Sequence, residues 1–468
     1  MFGYTAVGPV GRGRLLWSYI NGEQYLVQKN IILNSLVFNM SVRVALEDWN
    51  PWWVSGGVPG ELIGMRRDVL SDVEKLIGIP KAKVIIGVRR CGKSTLLYQI
   101  IDYVLRRGVA RPDDIVLMNF DDARLSTVST EKLYESFIET QKPKRMLLFL
   151  DEVHKARDWI SLVRRLLDMK IGEIFITDSC SYYIPQDYAR VLTGRKLEIE
   201  LYPFSFKEFL RFYSVDMKPH GTESRSLIRG HLLDFLRYGG FPEVHVYRHI
   251  WKKILIEYFE DIITKDVVSR FSVDYQKVKD LAYYLISNVG QRITLRKLRN
   301  IFGLGLETID KYLSYLEAVY MLFTVRRYST KAKEQIIAPK KIYAIDTGLA
   351  NVIGYTPSEN LGALLENLVL IELKRRGFKV FYYQTEDKEV DFVVMENKRI
   401  KTLINVAYTL EEEKIRKREI EGLIKGMREL GISESLIITW DEEETIRLGS
   451  KTIRVLPAYE WLLMMGQE

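Results

Sequence analysis

The chain has 468 residues, which at about 100–200 residues per domain predicts roughly two to four domains. Its apolar fraction of 47% and charged fraction of 28% are typical of a globular protein and exclude wholesale disorder. Cys91 and Cys180 are the only cysteines, which excludes a disulfide framework and a cysteine-built zinc site. No apolar run reaches the about 18 residues of a membrane span, and no secretory signal is apparent, so we expect a cytoplasmic protein without membrane contact.

The net charge is +8, and the excess of basic residues lies in one stretch of the chain. Between Lys265 and Ile345 there are 15 basic and 7 acidic residues, so this window alone has a net charge of +8. We therefore expect residues 265–345 to contact a polyanion such as DNA.

The first half of the chain predicts an α/β fold. Residues 1–60 lack clear periodicity and are predicted to form an N-terminal extension or linker. The stretch after Met40 is more typical of the start of a folded chain, so the first 39 residues are expected to be an extension or a misassigned start. From residue 61 to 215, short apolar strands alternate with helix-length segments. The predicted strands are 84–86, 115–119, 146–150, 173–177 and 197–201. This alternation predicts a largely parallel sheet that is covered on both faces.

The second half predicts three further segments. Residues 216–268 are predicted to form a helical lid. Helices at 295–302 and 307–318, joined by a glycine-containing turn and followed by two strands, predict a winged helix over 269–350. Residues 351–468 predict a small α/β domain, with helices at 364–376 and 411–429 and strands at 379–384, 389–395, 401–406 and 435–439.

One motif predicts a phosphate-binding loop. The segment Gly87-Val-Arg-Arg-Cys-Gly-Lys-Ser94 fits the pattern G-x-x-x-x-G-K-S/T and lies between a predicted strand and a predicted helix, as this P-loop motif requires. Its glycines let backbone N–H groups point at phosphate oxygens, and the helix N-terminus adds a positive end. Lys93 is expected to reach the β- and γ-phosphates, and Ser94 to bind Mg²⁺. The predicted nucleotide-binding residues here are Gly87, Val88, Arg89, Arg90, Cys91, Gly92, Lys93, Ser94 and Thr95.

A second motif is an apolar strand that ends in Asp151 and Glu152. Asp151 is expected to hold Mg²⁺ through water, and Glu152 to polarise the attacking water. A strand that ends in two acids is common, but this one lies 57 residues after Ser94 with one predicted strand between. Together the two motifs predict a P-loop ATPase with ATP and Mg²⁺ as its cofactors.

Two further candidates follow the second motif. Thr177 and Ser179 lie near the end of the next strand, a position that holds a polar γ-phosphate sensor in P-loop ATPases of the AAA type. A hydroxyl at a strand end is more often only a cap. Arg195 is a candidate arginine finger, acting in cis or in trans, and a solvated arginine before a strand is the equal alternative.

The chain resembles an archaeal and bacterial group of AAA-type P-loop ATPases over about residues 60–460. The resemblance lies in Gly87–Leu97, Asn119–Asp122, Leu150–Val153 with Trp159, Gly194–Arg195, Leu201–Phe209, Gly239–Glu243, Asp261–Asp266, Lys341–Leu349, Leu365–Asn367 and Glu389–Phe392. It implies an ATPase core, a winged helix and a C-terminal domain related to restriction-endonuclease-like nucleases. One departure from the family pattern is Asp178, which stands where the family's Thr-Gly-Ser has its glycine. A carboxylate there would repel the γ-phosphate unless it is turned away.

The nuclease-like fold that the resemblance implies uses an acidic residue on a helix, an aspartate on a strand, and then E-x-K on the next strand. Glu366 and Asp391 occupy the first two positions, but Asn405 and Ala407 stand where the glutamate and lysine should be. The missing carboxylate weakens a metal site, and the missing lysine removes the base. We therefore predict a catalytically dead nuclease fold that serves docking or DNA contact.

The leading functional hypothesis is an ATPase whose cycle changes how the winged helix and C-terminal domain hold a partner, either DNA or a protein. Three alternatives stay open. They are a nucleotide-gated binding or scaffold protein with negligible turnover, an ATP-dependent nuclease, and an ATPase of the origin-recognition type. A homo-oligomer is also compatible with the sequence.

Overall fold

The computed structural model describes residues 40–180, 192–218, 221–354, 360–385 and 387–464. These residues form two compact units. The first takes in the described residues up to Leu62, together with Gly78–Ala82 and Ile101–Ile176. The second takes in Ile63–Ile77, Lys83–Ile100 and the described residues from Thr177 onward. Within these ranges no helix has both the length and the apolar character needed to cross a membrane.

The first five strands form one sheet in the order β2-β3-β4-β1-β5. They are β1 (Ala82–Ile86), β2 (Ile115–Asn119), β3 (Leu147–Asp151), β4 (Glu173–Asp178) and β5 (Lys196–Glu200). Strands β2, β3 and β4 pair in parallel, and every residue of β1 to β4 is buried, as expected for a sheet covered on both faces. The predicted α/β class with a parallel P-loop core is confirmed, and each predicted strand is displaced by no more than two residues.

The structure differs from the predicted extension after residue 40. Trp52 is fully buried, and the side-chain amide of Asn50 pairs with both polar groups of the Leu117 backbone, at 2.9 Å to the oxygen and 2.6 Å from the nitrogen. Because Leu117 lies in the edge strand β2, Asn50 satisfies backbone groups that an open sheet edge would leave unpaired. The helices of this unit are 40–49, Trp52–Ser55, Ala123–Ser126, Thr130–Gln141 and Trp159–Asp168. The predicted segment 1–39 lies outside the described residues.

Helices dominate the chain between β5 and residue 290. One of them is a π-helical segment, Ile262–Val268, which directly continues the helix Trp251–Asp261. The other helices of the second unit up to this point are Leu70–Glu74, Phe206–Phe212, Gly221–Tyr238, Pro242–Val246, Ser269–Phe271 and Tyr275–Ile286. Two further helices, Gly60–Ile63 and Lys93–Arg106, each contain residues of both units.

The next segment contains the predicted helix pair, Leu295–Phe302 and Leu306–Ala318. Gly303 ends the first helix with φ +65°, and its N–H donates to the Arg299 carbonyl. An antiparallel sheet of three strands, one before the helix pair and two after it, has the order β6-β8-β7. Its strands are β6 (Arg292–Ile293), β7 (Leu322–Val325) and β8 (Lys340–Ala344). A short helix, Ala332–Ile337, lies between β7 and β8.

The C-terminal segment is built on a six-stranded mixed sheet in the order β13-β14-β12-β11-β10-β9. Its strands are β9 (Lys379–Gln384), β10 (Glu389–Glu396), β11 (Arg399–Val406), β12 (Glu434–Thr439), β13 (Glu444–Leu448) and β14 (Lys451–Pro457). The helices of this segment are Thr347–Ile353, Leu361–Arg375, Glu413–Leu430 and Ala458–Leu463. The sequence did not predict β13, β14 or the last helix.

Candidate functional site

The P-loop, residues 87–94, connects β1 to the helix Lys93–Arg106, and its geometry requires both of its glycines. A Cβ atom on Gly87 would lie 2.1 Å from the carbonyl oxygen of Leu201, which leaves no room for a side chain. Gly92 has φ +101°, a backbone conformation that residues with a Cβ atom rarely adopt. The two fixed glycines of the motif are therefore explained by one close approach and one left-handed turn.

The predicted phosphate-binding residues lie in this loop and in the first turn of the helix. Lys93 is buried, and its Nζ donates to the carbonyl oxygens of Gly87 at 3.2 Å and Val88 at 3.4 Å. Ser94 and Thr95 are partly buried in the first helical turn. The unpaired N–H groups of a helix N-terminus attract anions, and the Lys93 ammonium adds a full positive charge to them.

The other loop residues have different environments. Val88 and Cys91 are fully buried, so they contribute packing and backbone groups rather than side-chain chemistry. Arg90 has φ +69° and leaves about half of its side chain exposed, with Nη1 3.9 Å from Glu243 Oε2. Arg89, by contrast, is buried in an ion pair with Asp266.

Arg67 supports the P-loop from a segment that the sequence did not mark as functional. Its Nη1 donates to the Cys91 carbonyl oxygen at 2.7 Å, and its Nη2 donates to the Tyr202 carbonyl oxygen at 2.7 Å. The guanidinium also forms a buried ion pair with Glu208, at 2.9 Å between Nε and Oε1. Burial alone would raise the pKa of Glu208, but Arg67 outweighs this effect and holds the pKa below its usual value. No local pattern around Arg67 reveals this role, because its partners are distant in the chain.

The polar end of β4 carries the candidate sensor residues. Asp178 Oδ1 lies 2.9 Å from Arg270 Nη2, so a buried arginine neutralises the carboxylate that departs from the family pattern. The Ser179 hydroxyl accepts from the same Arg270 nitrogen at 2.7 Å and donates to Asp266 at 2.7 Å. Thr177 is fully buried at the end of the strand. Ser179 is thus held in a polar network, and its role as a sensor stays a prediction.

The acidic end of β3 lies in the first unit. Asp151 is buried, and Asn119 on β2 donates to its Oδ2 at 3.4 Å. Glu152 follows with φ +53° and ψ +49°, and its Oε2 lies 3.3 Å from His154 Nδ1. A left-handed conformation costs a residue with a Cβ atom about 1–3 kcal/mol and persists where the surroundings hold it. The carboxylate of Glu152 is therefore buried at a strained turn immediately after a buried strand.

Arg195, the predicted arginine finger, lies in the turn before β5. It follows Gly194, which has φ +74°, and its N–H donates to the Leu192 carbonyl oxygen at 2.9 Å. Its side chain is partly buried, and its role stays a prediction.

A second polar cluster surrounds Lys341 on β8. The Lys341 Nζ lies 3.0 Å from Glu366 Oε1, 2.6 Å from Glu389 Oε1 and 2.9 Å from Asp391 Oδ1. The Tyr343 hydroxyl donates to Glu366 at 2.6 Å. Burial and the nearby Asp391 charge raise the pKa of Glu366 to about 7. Burial would lower the pKa of Lys341, but the surrounding carboxylates outweigh it and raise this pKa well above its usual value.

This cluster corrects one expectation about the C-terminal segment. The sequence predicts that the carboxylates lack a lysine because Ala407 stands in its place, whereas the fold brings Lys341 to them from another strand. Its ammonium contacts all three carboxylates and leaves only 3% of the side chain exposed. Asn405 does not face an open site either, since its Nδ2 donates to Glu419 at 2.7 Å. The three carboxylates are therefore paired with a lysine of the same chain.

The basic stretch between Lys265 and Ile345 is less uniform than its net charge indicates. Nine of its 15 basic residues form ion pairs with carboxylates. Arg296, Lys297 and Arg299 are exposed on the helix Leu295–Phe302, and no carboxylate of the described residues pairs with them. These three positive charges form the basic face of the helix pair.

Comparisons with known proteins agree with the fold and the loop geometry. An AAA domain matches residues 80–210, and two domains of unknown function match residues 229–359 (DUF8612) and 361–461 (DUF4143). The uncharacterized protein MJ1544 of Methanocaldococcus jannaschii is 35% identical over 424 residues, which cover 86% of this chain and 93% of that protein. The chain belongs to the AAA-type P-loop ATPase family. This confirms the family that the motifs indicated.

Other relatives of this ATPase family are similar over shorter or more divergent alignments. An uncharacterized protein of Haemophilus influenzae is 32% identical over 340 residues, covering 70% of this chain and 83% of that protein. The structure of the Walker-type ATPase PABY2304 of Pyrococcus abyssi covers 64% of this chain and 98% of its own, at 12% identity and a TM-score of 0.40.

Proposed function

We propose that the protein binds ATP at the P-loop and hydrolyses it to ADP and phosphate. In this scheme Lys93 neutralises the phosphates, and Glu152 accepts a proton from the attacking water. The conformation of Glu152 carries the proposal. A buried carboxylate on a left-handed turn costs stability, and backbone strain of this kind concentrates at active sites.

Mg²⁺ is the proposed partner of ATP, and hard oxygen donors are its preferred ligands. The Ser94 hydroxyl and the Asp151 carboxylate are donors of this kind, so the predicted metal-binding residues fit this ion. When bound, Mg²⁺ supplies charge stabilisation to the phosphate that is transferred. Across the part of the chain that the structure describes, no group of three or more His, Cys, Asp or Glu side chains could hold a metal.

The proposal is tested by measuring ATP binding and phosphate release with the wild-type protein. Steady release that requires Mg²⁺ is expected. Tight binding without release would instead support the nucleotide-gated binding protein. The buried carboxylate of Glu152 favours hydrolysis over this alternative. The Asp178–Arg270 ion pair compensates a charge that would otherwise repel the γ-phosphate in either case.

The second part of the proposal concerns the partner whose binding would change with the nucleotide cycle. We propose that residues 269–350 act as a winged helix that contacts DNA through the exposed basic face of the helix Leu295–Phe302. The following helix, Leu306–Ala318, suits base readout poorly because it exposes Glu307 and Asp310. Contacts from the first helix would be mainly to phosphates, which position a protein on DNA without reading its sequence.

Duplex DNA binding is therefore expected to show little sequence preference and a steep salt dependence. Replacing Arg296, Lys297 and Arg299 together with Gln should reduce the slope of log K against log salt by up to about 2.7, since each phosphate contact contributes about 0.9. Binding is measured by fluorescence anisotropy across a salt series.

The matched control replaces three different basic residues of the same stretch with Gln, namely Lys277, Lys311 and Lys331. Each of these lysines already pairs with a carboxylate. This variant should keep nearly the wild-type slope. Equal slopes for both triple variants would place the DNA contacts elsewhere, and no DNA binding at low salt would favour a protein as the partner.

Metal-dependent DNA cleavage is not expected, with or without ATP. Phosphodiester hydrolysis needs a metal to stabilise the developing charge and a group that activates water. The Lys341 ammonium already contacts the carboxylates of Glu366, Glu389 and Asp391, where a metal ion would have to bind. Supercoiled DNA incubated with excess protein and Mg²⁺ or Mn²⁺ should stay intact. Nicking that is lost in Asp391→Ala protein but retained in Lys93→Ala protein would contradict this expectation.

A further inference from the structure

Asp266 connects the P-loop to the end of β4. Its carboxylate accepts two hydrogen bonds from Arg89, at 2.8 Å from Nε to Oδ2 and 3.0 Å from Nη2 to Oδ1. This two-bond geometry fixes the plane of the guanidinium. Oδ1 also accepts the Ser179 hydroxyl at 2.7 Å. One carboxylate therefore anchors both the first half of the P-loop and the polar end of a core strand.

The burial and the charge balance around Asp266 make this network sensitive to the loss of its negative charge. Its side chain is only 1% exposed, and it lies in the π-helical segment Ile262–Val268. Arg89 and Arg270 supply two positive charges, and Asp178 and Asp266 supply two negative charges, so the buried network is neutral. Burial would raise the pKa of Asp266, but the Arg89 hydrogen bonds keep it below its usual value. Neutralising Asp266 leaves one positive charge without compensation.

We propose that Asp266 is a positioning residue for hydrolysis, an inference that rests on the proposed ATPase function. It acts on the nucleotide through Arg89 and Ser179 rather than by direct contact. The second half of the loop has its own support, because Arg67 holds the Cys91 carbonyl and the helix Lys93–Arg106 begins there. Lys93, in that half, supplies a full positive charge to the phosphates. We therefore expect nucleotide affinity to be less sensitive to Asp266 than the rate of hydrolysis, because a misplacement of about 1 Å can cost about 100-fold in rate.

The test compares Asp266→Asn with the wild-type protein in both ATP binding and phosphate release. This substitution keeps the shape of the side chain and removes its charge. We expect kcat to fall about 10- to 100-fold, while the Kd for ATP changes by less than about threefold. The matched control is Asp261→Asn, at the end of the preceding helix, where the carboxylate is partly exposed and pairs with Lys265 at 2.8 Å. This variant should keep the wild-type kcat.

A double-mutant cycle with Arg89→Gln tests whether Asp266 acts through Arg89. The double variant should lose no more activity than the more impaired single variant, whereas independent, multiplied losses would contradict the inference. If Asp266→Asn does not fold, the double variant is compared with the wild type, because it removes one charge of each sign and keeps the network neutral. It should then show the lower kcat with nearly unchanged ATP affinity.

The two levels of the proposal fail in different ways. A folded Asp266→Asn protein with wild-type kcat overturns the positioning role and leaves the ATPase function intact. A wild-type protein that binds ATP but releases no phosphate overturns the ATPase function, and the positioning role with it.

Discussion

Glu152→Gln should retain ATP binding and release phosphate at least about 100-fold more slowly than the wild-type protein, since general-base catalysis contributes about 10²–10⁴-fold. The amide of glutamine has nearly the volume of the carboxylate, so the buried turn at φ +53° should persist. It cannot accept the proton of the attacking water, however. Phosphate release and ATP affinity are measured on the same preparation, because the prediction is a loss of the first without a loss of the second.

Asp158→Asn provides a matched control for this change. Asp158 is another acidic residue of the first unit with a left-handed backbone, at φ +55°, but its side chain is exposed at the start of the helix Trp159–Asp168. Its neutralisation should leave both measurements unchanged. Wild-type turnover in the Glu152→Gln protein would show that another group activates the water.

Lys93→Ala is expected to abolish ATP binding at micromolar nucleotide. Truncating one partner of a desolvated charge pair costs about 2–5 kcal/mol, which corresponds to about 30-fold to several thousand-fold in Kd. The buried position of Lys93 over the loop carbonyl oxygens places its charge where the phosphates of a bound nucleotide are proposed to lie. Affinity is measured by titration calorimetry, with circular dichroism as a check on folding.

The control for this variant is Lys75→Ala, because the Lys75 side chain is 74% exposed and pairs with Asp72 on the surface. It should bind ATP as the wild type does. A folded Lys93→Ala protein that keeps the wild-type Kd would move the nucleotide site away from the P-loop.

The sequence by itself determined the features that depend on near neighbours in the chain. The strands β1 to β4 each contain a short apolar run, so their existence and nearly their ends follow from pattern alone. The P-loop is predictable because its glycines, lysine and serine act within one turn. The helix Leu295–Phe302 was predicted without error, since Thr294 caps its start and Gly303 ends it.

Features that depend on partners distant in the chain required the tertiary structure. Asn50 was assigned to an extension because nothing local shows that it completes the edge of β2. Arg67 looks like an ordinary surface charge in the sequence, and Asp266 belongs to a run that resembles the family without revealing its contacts. Each is buried against a partner more than 100 residues away. Lys341 reaches carboxylates on two other elements and so reverses the expectation drawn from Ala407. The physical reason is common to all four residues, since a buried polar group needs a partner and the fold alone decides which one it meets.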